Sequence, residues 1–201
     1  MEFASSIGET SKESKLWSTF WVDQGLMPPN IGYLKSLTTI SAVEDLLANS
    51  KLKVLGLVVN QVDDIMHGMT LGTAGMHNQV GQWTQNGFLR DLCKLLLDRG
   101  FRVVITADHG NIEAIGVGNP KEGMVADKRG ERVRVYPNAQ LREQTQTQYP
   151  DTIKWPSTGL PNDYHALFPP PRKAFVNAEA VSVCHGGISL EEVIVPYIQL
   201  S

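Results

Sequence analysis

Carboxylates and imidazoles occur together at three places in this chain. They are Asp63-Asp64-Ile65-Met66-His67-Gly68, Thr106-Ala107-Asp108-His109-Gly110-Asn111 and Cys184-His185-Gly186-Gly187. Zinc and manganese accept these two side-chain types readily in protein sites. Asp63 and His67 stand four residues apart, so one turn of helix points both at one spot. Asp64, offset by three from His67, is the poorer match. Adjacent Asp108 and His109 suit a tight strand-end turn and not a helix face, and Gly110 permits close backbone approach there. One Asp with two His leaves a coordination position open for water or a phosphate oxygen, as a catalytic zinc does. Asp63, His67, Asp108, His109 and His185 are therefore the candidate metal ligands. Any one of these histidines alone reads as an ordinary structural residue; their joint occurrence carries the inference.

Each cluster follows an apolar, β-branched run: residues 54–59, 102–105 and 180–183. Ligands gather at the carboxyl ends of strands in open α/β sheets. Three such ends could thus serve one site. Residues 86–99 carry apolar positions at helical spacing and close on Arg99-Gly100, a glycine C-cap signal. Strand 53–60, this helix and strand 102–106 form a βαβ unit, which predicts parallel strands. The expected fold is α/β, a mostly parallel sheet sandwiched by helices that carries strands 53–60, 102–106 and 180–184. Further helices are expected over 16–27, which Pro28-Pro29 stops, and over 40–48, with Ser41 as cap. Residues 63–75, rich in Gly and Met, read as a loop. A texture of Gly and Pro over 113–175 predicts an irregular cap insertion with a hairpin arm around Lys128-Arg129-Gly130. Ser189-Leu190-Glu191-Glu192 reads as a capping box, and residues 193–198 as a final edge strand because of Pro196.

The bulk properties narrow the function classes. A net charge of -3 gives no overall pull toward nucleic acid. No apolar run approaches the roughly 20 residues that span a bilayer, and Met1–Lys15 lack a secretory pattern, so the expected compartment is cytoplasmic. Cys93 and Cys184 make no disulfide framework and read as small buried filler. Residues 1–15 read as a leader, disordered or cloning-derived. Lys128, Arg129, Arg132 and Arg134 read as a solvated hairpin tip in preference to a phosphate-steering patch, while His77 and His165 read as loop and surface residues.

The three clusters resemble the metal-ligand motifs of the alkaline phosphatase superfamily, and Thr106–Asn111 is similar to the corresponding run of cofactor-independent phosphoglycerate mutase. The stretch His185-Gly186-Gly187-Ile188-Ser189-Leu190-Glu191-Glu192-Val193-Ile194-Val195-Pro196 resembles the C-terminal signature of the PglZ domain, a branch of that superfamily found in BREX phage-defence systems. The resemblance covers about residues 40–201. It implies an alkaline-phosphatase-like fold and two adjacent divalent ions, zinc or manganese, with Asp63, His67 and His185 on the first and Asp108 and His109 on the second. It implies other phage-defence proteins as partners and a phosphate ester, with nucleic acid or a nucleotide as candidate substrate. The superfamily also uses an earlier strand ending in Asp and a Ser or Thr nucleophile at the next helix start. Before residue 52 no apolar strand leads into such a pair; Asp23 follows Trp21-Val22 in an amphipathic stretch. Residues 16–201 are thus expected to be the C-terminal portion of a PglZ-like domain, a metal-dependent phosphohydrolase or phosphodiesterase portion that is incomplete as a catalyst. The second reading is a non-catalytic binding or assembly module on the same fold.

Overall fold

The computed structural model describes residues 12–69, 71–121 and 128–201. Its first elements are α1 (Glu13–Asp23), β1 (Ile31–Leu34), α2 (Ser41–Leu47) and β2 (Val54–Leu57). Three helices follow: α3 (Gln61–His67), α4 (Gly72–Gln85) and α5 (Phe88–Asp98). Next come β3 (Val103–Thr106), β4 (Ile112–Gly116), β5 (Lys128–Arg129), β6 (Arg134–Tyr136) and α6 (Ala139–Gln148). The remaining elements are β7 (Ile153–Lys154), β8 (His165–Phe168), β9 (Lys173–Ala174), β10 (Val181–Cys184), α7 (Leu190–Val193) and β11 (Tyr197–Leu200). The chain divides into two compact units, one of Met1–Asp64, Gly81–Val103 and Leu200–Ser201, the other of Ile65–Val80 and Val104–Gln199.

The first unit is built on leucine. β1 and β2 pair in parallel from Ile31↔Val54 to Leu34↔Leu57. Leu37, Val43, Leu47, Leu92 and Leu96 form the buried cluster, with Phe88, Leu95, Phe101 and Val103 packed against it. Phe88, Leu92, Leu95 and Leu96 recur at one helical face of α5, so a single stripe delivers them to the core. Burying each such side chain contributes about 1.5–3 kcal/mol. Gly100, with φ +79°, ends α5 in the left-handed conformation expected of a glycine stop. On α1, the Trp17 indole donates to the Gly32 carbonyl at 2.9 Å, and Glu13 pairs with Lys35 at 2.9 Å. The expected leader over 1–15 therefore overlaps α1 at Glu13–Lys15; residues 1–11 lie outside the described residues.

Among the described residues, the second unit holds two small apolar clusters. β4 alternates buried and exposed residues, and Ile112 and Ala114 join Ala174 and Cys184 in one cluster. Tyr136 and Leu167 form the other, against Leu141 of α6. β4 runs antiparallel to β10 and parallel to β9. β5, β6, β8 and β7 form a four-stranded sheet in that order, antiparallel throughout.

These pairings correct the expectation of one mostly parallel sheet sandwiched by helices. Among the described residues, β2 pairs with β1, β3 with β11, and β10 with β4. The α/β character holds; the single sheet does not. β4, which ends in Gly116 and is followed by Gly118 and Pro120, reads as loop in the sequence. Once folded, that strand takes the ladder of β10. The expected irregular cap over 113–175 is also more regular than its sequence texture, with most of β4, the strands β5 to β9 and α6 among its described residues, and its hairpin arm is present as β5–β6. The expected loop over 63–75 begins and ends in helix, α3 and α4, leaving only a short joint. Ile40, not Ser41, occupies the cap position of α2.

Candidate metal centre

Within the second unit three imidazoles gather. His67 is the last residue of α3, His109 lies in the turn after β3, and His185 follows the last residue of β10. The rings of His109 and His185 stack with centroids 3.9 Å apart and an interplanar angle of 6°. The ring of His67 stands edge-on to His185, with centroids 5.4 Å apart. A ring nitrogen of His109 and one of His185 lie within 4.8 Å of each other. His109 Nδ1 is 3.0 Å from the Gly110 carbonyl. With the hydrogen on Nδ1 it donates there and leaves Nε2 as a lone-pair donor, the arrangement typical of a metal-bound imidazole.

The two carboxylates are placed by local structure. Asp63 sits one turn before His67 on α3, a spacing at which helical residues share a face. Asp108 is 70% exposed at its side chain, accepts the His109 N–H at 3.1 Å, and has Oδ1 3.7 Å from His109 Nε2. His77 is exposed on α4, and His165 is half-buried on β8 instead of lying at the surface.

The loops after the two stacked rings meet a buried ion pair that has no local signal in the sequence. Glu192, 2% exposed, lies in α7. Its carboxylate accepts the Gly187 N–H at 2.9 Å and the Ser189 N–H at 3.2 Å. Its main-chain carbonyl accepts the Gly110 N–H at 2.8 Å. Arg132, 3% exposed, grips the same carboxylate with Nε at 2.9 Å and Nη2 at 3.0 Å, a bidentate fork. Its Nη1 donates to the Lys173 carbonyl on β9. Burial pushes the Glu192 carboxyl up, but the hydrogen bonds from Arg132, Ser189 and Gly187 outweigh it, and the group ends below its ordinary range. Glu192 therefore meets the guanidinium as a carboxylate at neutral pH. Glu192 was legible as the last member of a capping box; nothing in sequence marked Arg132, which reads as hairpin-tip charge. That reading is corrected for Arg132 and Arg134, both buried, Arg134 lying over the Phe175 ring at 5.2 Å.

The fold and the cluster thus define a mixed α/β protein with histidines collected from a helix end and two strand ends. The family of BREX system PglZ alkaline phosphatase-like domains matches residues 4–200, essentially the whole sequence. The chain belongs to that family. No curated protein matches it. Among the described residues, no helix is long and apolar enough to cross a membrane.

Proposed function

We propose that this chain is the metal-holding portion of a phosphohydrolase or phosphodiesterase in a phage-defence system. The observation that carries the reading is the approach of a His109 and a His185 ring nitrogen to within 4.8 Å, with the His67 ring edge-on to His185, imidazole being a side chain that zinc and manganese accept. Asp63, His67 and His185 would hold a first ion, and Asp108 and His109 a second. A bound ion would act as a Lewis acid toward a phosphoryl oxygen. Among the chain's own groups, the Gly110 carbonyl sets the tautomer of His109, and Gly110 and Gly187 keep the backbone close to Glu192. No Ser or Thr nucleophile follows a strand-ending Asp before residue 52, so residues 1–201 alone are expected to turn over phosphate esters poorly or not at all. Other defence proteins are the partners this family context favours, in the cytoplasm.

Calorimetry with zinc and with manganese tests the reading. Saturable binding that the His67→Ala, His185→Ala double variant loses is the expected result. Equal affinity in the wild type and the double variant overturns it. Hydrolysis of bis(p-nitrophenyl) phosphate separates the second reading, a binding or assembly module. Metal binding without turnover, even in a longer protein that carries this domain, favours the module.

A further inference from the structure

We propose that Arg132 and Glu192 are positioning residues that set the His109–His185 ring stack. The functional consequence rests on the metal-centre reading above, whereas the stack itself does not.

The two histidines leave different strands, β3 and β10, which pair in different sheets. No ladder of backbone bonds therefore fixes the distance between them. Glu192 supplies the missing connection with two parts of one residue. Its carbonyl takes the loop after His109 through Gly110, and its carboxylate takes the loop after His185 through Gly187. A carboxylate committed to main-chain N–H groups in a buried place needs a counter-charge that does not compete for those donors. Arg132 fits, since its fork approaches both oxygens while Nη1 is anchored on β9. A lysine in its place would present a point charge without the planar fork.

The glycines on either side show how close the joint is. A Cβ built on Gly187 would fall 2.5 Å from Glu192 Oε2, and one built on Gly110 would fall 2.0 Å from the Glu191 carbonyl oxygen. Neither distance is open to a real side chain. Both histidine loops are thus seated on α7 at the closest spacing that backbone alone permits, and a shift of Glu192 moves both rings.

The test uses the metal-free chain first. In Glu192→Gln, which keeps the volume and removes the charge, NMR of the imidazole carbons and protons should show His109 and His185 losing the ring-current shifts of the stack. The backbone spectrum elsewhere should remain that of the folded protein. Zinc affinity should fall by about tenfold or more, as for groups that orient metal ligands. Gly187→Ala leaves both charges in place and should give the same two changes. Wild-type ring shifts in either folded variant overturn the proposal. So does loss of the stack only together with the whole fold in both variants, which makes the pair a stabilising element alone. If wild-type chain binds no zinc while the ring shifts still respond, the metal-centre reading fails and the positioning role stands.

Discussion

In the first unit, Leu37, Val43, Leu47, Leu92 and Leu96 are each 8% exposed or less and pack against further apolar side chains such as Phe88, Leu95 and Val103. In the second, the apolar clusters are small, and the most buried long side chains include Arg132, Arg134 and Glu192, each 4% exposed or less. The first is held by burial, which is non-directional and tolerates small shifts. The second is held at its site by a charge pair and main-chain hydrogen bonds, which are directional and costly to leave half-made. A framework that must keep imidazoles in register gains from direction; a framework that only supports it does not.

The sharpest way to break this comparison is Arg132→Ala. It strands the Glu192 charge in a buried place and should cost about 3–5 kcal/mol, read as a fall in the urea midpoint. A cost below about 1 kcal/mol would put the pair on the level of a surface ion pair and remove the contrast. Leu96→Ala probes the other side. Deleting a buried leucine should cost about 3 kcal/mol, while the His109 and His185 ring shifts of the folded protein stay as in wild type. Movement of those shifts would show that the leucine core also sets the stack.

Asn138→Ala is a smaller test within the second unit. The Asn138 carboxamide accepts the Leu141 N–H at 3.0 Å and caps α6, so its loss should cost about 1 kcal/mol in the same unfolding measurement and leave metal affinity unchanged. The two cysteines compare the units without any mutation. Cys184 is 1% exposed and its thiol is pushed up to about 12, first by burial, with Glu131 and Glu192 adding to it and Arg132 opposing. Cys93, half-buried on α5, is raised by burial alone. In the folded protein at pH 8, iodoacetamide should therefore label Cys93 well before Cys184, and equal rates would mean that the β10 cluster opens readily.

Much of the first unit is legible because its signals are local. The stripe of α5 and its glycine stop follow from periodicity over a few residues; the parallel partner expected for residues 53–60 is 102–106, whereas β2 pairs with β1, a four-residue strand with little local signal. The second unit is less so. β4 hides among glycines because its alternation spans only Ile112 to Gly116, and α6 hides because AlaGlnLeuArgGluGlnThrGlnThrGln has almost no apolar face. Arg132 looks like any charge beside a turn until Glu192, sixty residues on, is brought against it.

The amino-acid sequence by itself determined which side chains can do chemistry here: imidazoles after three apolar runs, an Asp one helical turn before a His, and glycines where backbone must come close. Those are matters of residue type and short spacing, settled within a few bonds of each other. Only the tertiary structure decided that β10 runs against β4 and that the His109 and His185 rings stack. It alone made a buried Arg–Glu pair the fitting between their loops. Strand pairing and charge pairing join residues far apart in the chain, and which partners meet depends on which hydrogen bonds the whole fold leaves open.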